Sequence, residues 1–242
     1  MDDVSGVVAG CATLLAVLLP SVPGDVFTTA DALRHGATQR QLEWAVRSGA
    51  LHRLQLGTFC RTEQWTAADP TARAVMVARA VALARRVRGP YAFSHVTAGA
   101  LLGLPVSEAL AGRVWLTVPP GGYCRRRGSM VQQVAELGAD DVSSVAGLPC
   151  TTPARTVVDC LRHLPPEEAV VLGDAALRAG HVSPAELAAL LARRPWPRAA
   201  AASSADTVPS AGPVPSAGPG ASSRTVVEVL IAGCGPRHRG RG

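Results

Sequence analysis

A serine and a histidine stand next to each other at Ser94 and His95, and such a pair can act as a nucleophile and its base. Neighbours within one helix point in different directions, so we interpret Ser94 as a helix cap and His95 as a packed or hydrogen-bonded side chain. Asp159 and Asp174 are predicted on separate helices, without a partner carboxylate at a diagnostic spacing. The sequence therefore predicts no catalytic residue and no enzyme.

Six cysteines are scattered along the chain without any Cys-x-x-Cys pair, and no histidine lies at ligand spacing from them. Free thiols in a reducing cytosol are expected rather than a metal site. The turn at 119–122 lacks the Gly-Lys-Ser/Thr ending of a phosphate-binding loop, and the chain contains no lysine to supply it. We expect neither a metal nor a cofactor.

Arginine supplies all of the permanent positive charge, and the chain has a formal net charge of +6 and a pI near 9.5. This charge favours a polyanionic partner, although a GC-rich coding bias also produces an arginine excess, so placement is more informative than the total. The run at 125–127 is either a solvated loop or a phosphate contact. Five arginines are spread over one short stretch: Arg34, Arg40, Arg47, Arg53 and Arg61.

That stretch, 27–61, has the pattern of two short helices around a tight turn, followed by a small hairpin. Gly36 supplies the stop of the first helix. Thr38 and Gln41 form a capping-box pattern at the start of the second helix, which stops at Gly49. The capping signals therefore predict a helix, a turn and a second helix.

The second helix is predicted to have one buried face, because Leu42 and Val46 lie four residues apart. The hairpin at 51–61, with its turn at Gly57, is the candidate wing. This order of elements predicts a winged helix-turn-helix, and the alternative is a generic helical hairpin with a strand behind it. In a winged helix, the side chains facing the DNA groove are Gln39, Arg40, Glu43 and Arg47 on the helix and Arg53 on the wing.

A second basic element is predicted as a helix over 71–88. Asp69 and Pro70 form its start signal, and a Gly-Pro pair ends it. Arg79 and Arg86 are seven apart and share one side, where they either meet phosphates on DNA or form an ordinary solvated face.

Residues 91–194 alternate short strands with helices, which is typical of an α+β domain. Arg155 and Asp159 lie four apart on one predicted helix, so we expect an ion pair with a structural role. The strands are predicted at 114–118, 130–134, 142–145 and 148–150, and the helices at 94–102, 153–164, 166–179 and 183–192.

The two ends of the chain differ in composition from the middle. The apolar run at 7–19 follows two aspartates rather than basic residues, so we predict the first helix of the winged-helix core and not a signal peptide or membrane span. Cytoplasm is therefore the expected location. Residues 195–242 are rich in Pro, Ala, Ser and Gly, and we expect a disordered tail.

Three further segments carry a resemblance: YAFSHVTAGALLGLP at 91–105, VWLTVPP at 114–120 and GLPCTTPARTVVD at 147–159. Together with the helix ending R-S-G, the L-x-R-L strand and the G-T-F wing, they resemble AbiEi-type antitoxins of type IV toxin-antitoxin systems. The resemblance spans roughly residues 25 to 192. Its most specific segments are S-H-x-x-A-x-x-L-x-G-L and T-x-P-A-R-T-x-x-D.

The resemblance implies three segments: a winged-helix DNA-binding domain at 1–65, an AbiEi-like α+β domain at 66–194 that includes the basic helix, and the tail at 195–242. It implies a transcriptional regulator that represses its own toxin-antitoxin operon. The expected partners are double-stranded operator DNA and a nucleotidyltransferase-like toxin.

Many actinobacterial proteins that resemble this one continue into a restriction-type nuclease fold of the PD-(D/E)XK kind. After Pro195 the only acidic residues are Asp206 and Glu228, and no lysine is present for an E-x-K pair. The alternative hypothesis is therefore a non-catalytic remnant of a protein that carried such a C-terminal domain, truncated or frame-shifted here.

Overall fold

The computed structural model describes residues 24–84, 87, 89–121 and 129–193. The chain divides into two compact units, Met1–Pro90 and Tyr91–Gly242. Three predicted features lie outside the described residues: the helix at 7–19, the arginine run at 125–127 and the tail at 195–242.

The first unit contains three short strands and four helices among its described residues. In chain order they are β1 (Phe27–Thr28), α1 (Thr29–Arg34), α2 (Gln39–Arg47), β2 (Leu51–Gln55), β3 (Thr58–Arg61), α3 (Thr62–Ala67) and α4 (Pro70–Leu83).

Both α1 and α2 begin at capping boxes. At α1, the Thr28 hydroxyl accepts from the backbone N–H of Asp31 at 3.1 Å, and the Asp31 carboxylate accepts from the backbone N–H of Thr28 at 2.8 Å. At α2, Thr38 and Gln41 make the same reciprocal contacts at 3.3 and 2.8 Å. Gly36, with φ of 90°, takes the left-handed conformation between the helices. The turn between the helices is thus determined by contacts within a few residues.

The strands form an antiparallel sheet of order β1-β3-β2, and the sheet is covered on both faces. Phe27, Leu51 and Phe59 pack with Leu42 and Ala45 in the core beneath α1 and α2. A second core on the other face joins Cys60 to Val26 and to residues of α4. Each strand of the hairpin therefore contributes alternate side chains to two cores.

The compact units divide after Pro90, whereas the sequence predicted a domain boundary after residue 65. Helix α4 belongs to the first unit, because its Met76 and Ala80 are buried against Val26 and Cys60. The apolar side of the helix was visible in the sequence, but nothing in it showed which sheet that side covers. The helix ends at Leu83, earlier than predicted.

The second unit contains five strands and five α-helices among its described residues. They are β4 (Ala92–Phe93), α5 (His95–Leu101), α6 (Glu108–Ala111), β5 (Val114–Val118), β6 (Met130–Val134), β7 (Val142–Val145), β8 (Leu148–Thr151), α7 (Pro153–His163), α8 (Pro166–Arg178) and α9 (Pro184–Arg193). A short 3-10 helix, Ala139–Asp141, precedes β7.

These strands form one mixed sheet of order β6-β5-β4-β8-β7. The β4–β8 and β5–β6 pairs are parallel, and the β4–β5 and β7–β8 pairs are antiparallel. The predicted α+β fold is confirmed, including the paired strands around Gly147. Ala146 and Gly147 both have positive φ, 49° and 77°, which is the type I′ geometry of a two-residue hairpin.

Helix α5 lies at the centre of this unit, and all seven of its residues are buried. It contacts β5 and α7, and α7 also contacts α8 and α9. Gly99 allows a close approach to α8, because a Cβ at this position would lie 2.8 Å from Cδ1 of Leu172. No helix in the described part of the chain is long and apolar enough to cross a membrane.

Candidate functional site

The exposed face of α2 carries all four helical residues that the sequence predicted to face DNA. Their side chains are solvent-exposed, whereas Leu42 and Ala45 on the other side are 3% and 0% exposed. Val46 is half-buried and packs against the same core. The buried face is therefore confirmed, with Ala45 as a central member that the four-residue spacing did not include. The exposed residues are Gln39, Arg40, Glu43 and Arg47.

Two of these residues are joined by a hydrogen bond. The Gln39 side-chain Nε2 donates to Oε1 of Glu43 at 3.3 Å, one helical turn away. The carboxylate can only accept, so this contact directs the amide nitrogen of Gln39 toward Glu43. The exposed face of α2 therefore presents an oriented amide beside two arginines.

Arg53 lies on the face of the hairpin that packs against α1 and α2. It is paired in register with Phe59, whose ring packs in the core beneath those helices, and the Arg53 Cζ lies 5.8 Å from the Phe59 ring centroid. Cation–π contact of this kind restricts where the guanidinium can go. At the hairpin tip, Leu56 is 71% exposed and Gly57 has φ of 79°.

Arg73 and Arg79 of α4 contact other residues of the same unit. Arg73 Nε donates to the Trp65 carbonyl at 3.0 Å, and its guanidinium lies over the Trp65 ring. Arg79 forms an ion pair with Asp25 at 3.6 Å. Arg86, predicted to share a side with Arg79, lies outside the described residues. Within the described part of α4, the arginines support the fold of the first unit.

Trp65 also stacks on His52 of β2, with ring centroids 4.4 Å apart and planes inclined by 8°. Burial, together with the nearby Arg73 charge, lowers the pKa of His52 below its ordinary value. The neutral ring is the form that suits this stack beside a guanidinium. His52 therefore joins α3 to the hairpin and is a structural residue.

In the second unit, Ser94 and His95 are closer than the sequence predicted. Ser94 is extended and precedes α5, while His95 has φ of 50°, so that the Ser94 Oγ lies 2.9 Å from His95 Nδ1. The expectation that the two side chains diverge was wrong, because it assumed helical backbone at both residues. Ser94 also makes no side-chain cap hydrogen bond.

Burial prevents this pair from acting as an exposed catalytic dyad. Ser94 and His95 are both 0% exposed, and the His95 ring packs 4.5 Å from the Trp115 ring. A hydroxyl with no accessible surface cannot attack a substrate from solvent. The interpretation of His95 as a packed, hydrogen-bonded residue is therefore the one that the geometry supports.

The His95 ring makes a second contact that the sequence did not indicate. Its Nε2 lies 3.0 Å from Nδ1 of His163, which in turn lies 3.0 Å from the Asp159 carbonyl oxygen. That oxygen only accepts, so His163 Nδ1 carries a proton, which it shares between the Asp159 carbonyl oxygen and His95 Nε2, and His95 Nε2 is an acceptor. His95 is thus neutral with its proton on Nδ1, which donates to Ser94 Oγ. Burial, then His163 and Arg155, hold the pKa of His95 well below its ordinary value.

The predicted ion pair on α7 is confirmed and is buried. Arg155 Nε donates to Oδ2 of Asp159 at 2.8 Å, with side-chain exposures of 3% and 5%. Arg155 Nη1 also lies 3.4 Å from Oδ2 of Asp141 and donates to the Glu136 carbonyl at 3.3 Å. Burial raises the pKa of Asp159 despite the opposing effect of Arg155. The arginine therefore ties the start of α7 to the segment before β7.

No cluster of three metal-ligating side chains occurs in the described residues. Cys60, Cys150 and Cys160 are buried free thiols, and the other three cysteines lie outside that part of the chain. Burial raises the pKa of Cys60 to about 11, which disfavours the reactive thiolate.

Comparison with known proteins places the second unit in a family. Residues 91–205 match the family model of the AbiEi antitoxin C-terminal domain. No curated protein matches the chain. Among solved structures, the chain is similar to the RV2827C protein from Mycobacterium tuberculosis, at 16% identity and a TM-score of 0.50 over 93% of this chain and 77% of that one. At this identity the likeness concerns the fold alone.

The matched region contains three of the segments that carry the resemblance, those at 91–105, 114–120 and 147–159. It includes Ser94 and His95 at the start of α5 and the Arg155–Asp159 pair on α7, so two motifs singled out in the sequence correspond to buried polar contacts in the structure. The resemblance predicted from the sequence is confirmed for this region: residues 91–205 carry an AbiEi antitoxin C-terminal domain.

Proposed function

We propose that the first unit is a winged helix-turn-helix that binds operator DNA, and that the chain represses its own toxin-antitoxin operon. The observation that carries this proposal is the exposed face of α2. It displays amide, guanidinium and carboxylate groups, while the opposite face is buried in a core shared with the hairpin. A helix held in this way can enter a major groove and bring its exposed polar side chains to base edges.

The hairpin supports the same function. Arg53 is exposed and held over Phe59 on the side of the sheet that faces α1 and α2. We assign it a contact with the phosphate backbone or the minor groove, next to the groove occupied by α2. The basic residues of α4 are not part of the proposed interface, because the two arginines described above contact Trp65 and Asp25.

The second unit has the antitoxin role in this proposal. Its family implies a toxin as partner, and we propose a nucleotidyltransferase-like toxin encoded by the same operon. Ser94 and His95 are buried and are not accessible to a substrate as nucleophile and base. We therefore propose a non-enzymatic regulator, and we propose the cytoplasm as its location.

A DNA-binding experiment with the full chain tests the proposal. The probe is the duplex upstream of the gene, and an unrelated duplex of equal length is the competitor. We expect saturable binding that survives excess competitor, and a loss of roughly 10-fold or more in affinity for the Arg40→Ala/Arg47→Ala double variant.

The matched control is Arg178→Ala/Arg193→Ala, which removes two exposed arginines from the second unit. Its affinity should stay within about 2-fold of the wild type, because these residues are outside the proposed interface. Equal losses in both double variants would mean non-specific attraction to charge. Absence of upstream binding at low salt would contradict the proposal.

A further inference from the structure

We infer that Gln39 recognises an adenine in the major groove and that Glu43 is the positioning residue that sets its amide for this base. The inference rests on the proposed function of the first unit. Its basis is the hydrogen bond from Gln39 Nε2 to Glu43 Oε1, 3.3 Å long, on the exposed face of α2. It assigns a base preference to one position of the operator.

The hydrogen bond with Glu43 determines which polar groups of Gln39 remain available to bind DNA. A glutamine amide has two N–H donors and one carbonyl acceptor. The Glu43 carboxylate takes one N–H, so one N–H and the carbonyl oxygen remain for a ligand. The carboxylate also prevents the amide from turning over, because the reversed amide would place two oxygen acceptors against each other.

One donor next to one acceptor is the pattern that adenine complements. In the major groove adenine offers the N7 acceptor and the N6 amino donor, which a glutamine can bind in bidentate fashion. Guanine offers two acceptors, N7 and O6, so the glutamine carbonyl would face O6 without a hydrogen bond. An oriented Gln39 therefore discriminates adenine from guanine.

Position on the helix supports a base contact. Gln39 is the first residue of α2, and residues near the start of a recognition helix are the ones that reach base edges. Glu43 lies one turn further along, where a carboxylate on a DNA-facing surface is repelled by phosphates. The hydrogen bond that Glu43 accepts from Gln39 explains why a negative charge lies on this surface.

The experiment selects bound sequences from a random duplex pool with the full chain, and then measures affinities for each base at every enriched position. We expect one position at which adenine is preferred to guanine by at least about five-fold. This preference should disappear in Gln39→Ala and in Glu43→Ala. Glu43→Gln should preserve it, because the new side chain still offers an oxygen acceptor, while affinity for all duplexes rises with the loss of negative charge.

The outcomes separate this inference from the proposed function. A defined enriched site whose adenine-to-guanine ratio is the same in wild type, Gln39→Ala and Glu43→Ala would overturn the inference and leave DNA binding intact. A preference for cytosine that depends on Glu43 alone would also overturn it, because the carboxylate would then contact the base directly. Failure to enrich any sequence at low salt would contradict both. Unchanged melting temperatures of these exposed-site variants serve as the folding control.

Discussion

Nε2 of the buried His95 lies 3.0 Å from Nδ1 of His163, a residue at the end of α7 that is exposed to solvent. The contact joins the start of α5 to the end of α7 across 68 positions of sequence. It requires a neutral His95, because a proton on Nε2 would face the N–H of His163. Arg155 adds a fixed positive charge that also disfavours protonation of His95.

Acid should therefore destabilise the second unit. The pKa of His95 is lowered in the folded state, so the unfolded chain takes up the extra proton first. The stabilisation that comes from a neutral His95 is complete above about pH 6.5 and is lost as the pH falls toward the folded-state pKa. Over this range the free energy of unfolding falls by up to about 1.4 kcal/mol per pH unit. Hydrogen exchange of β5 amides between about pH 7.5 and about pH 5 measures this loss, and His95→Asn should show a shallower slope. An equal slope in the variant would contradict the assignment.

Removal of Arg155 should be costly. Arg155→Met leaves the carboxylates of Asp159 and Asp141 without their guanidinium in a buried site, and we expect a loss of about 3 to 5 kcal/mol in the free energy of unfolding of the second unit. The Arg155→Met/Asp159→Leu double variant should recover part of it, since one buried charge is removed. Arg178→Ala, at an exposed site, should change stability by less than about 0.5 kcal/mol. Urea unfolding of the three variants and of the wild-type chain measures these differences in the free energy of unfolding.

Loss of the cap at α2 should affect both folding and binding. Thr38→Ala removes the acceptor for the Gln41 backbone N–H and should cost about 1 kcal/mol of stability. Because Gln39 follows directly, we also expect weaker DNA binding. Thr38→Ser keeps the hydroxyl and should behave as wild type in both thermal melting and DNA titration.

The hairpin turn at Ala146 offers a stabilising substitution. Ala146 has φ of 49°, a conformation that asparagine tolerates better than alanine, and Asn-Gly is the favoured pair for this turn. We expect Ala146→Asn to raise stability by roughly 0.5 to 1 kcal/mol. Thermal melting measures it, and Ala146→Val, whose branched side chain resists positive φ, should lower stability instead.

Arg40 and Arg53 should differ in the kind of binding that they support. Arg40→Ala should cost about 1 to 3 kcal/mol on the selected site and relax specificity at one position, because a guanidinium can pair with a guanine edge. Arg53→Ala should weaken all duplexes alike and reduce the slope of log affinity against log salt by about 0.9. Titrations of selected and scrambled duplexes at several salt concentrations distinguish the two patterns. Unchanged affinity in both variants would contradict the proposed interface.

Local chemistry made much of the first unit predictable. Thr38 and Gln41 signal the start of α2 because their hydrogen bonds act within three residues, and Gly36 signals the turn because it adopts positive φ. The same locality explains the correct prediction of the Arg155–Asp159 pair, whose members lie one turn apart on one helix.

Contacts between distant residues were not predictable in this way. Asp141 meets Arg155 only because β7 and β8 fold back on each other, and no spacing marks it as a partner. The position of α4 depended on which sheet its apolar side covers. The Ser94–His95 contact depended on a positive φ at His95, a conformation that is uncommon for residues other than glycine.

Because Gly99 lies so close to Leu172, substitutions at residues 99 and 172 should depend on each other, both in evolution and in design. Leu172 is only 2% exposed, so its Cδ1 has little room to withdraw from a methyl group placed at residue 99. A larger residue at 99 should be tolerated better at this spacing of α5 and α8 when residue 172 becomes smaller at the same time. The two sites therefore share one fixed volume, and a substitution that is tolerated in one sequence background should be harmful in another.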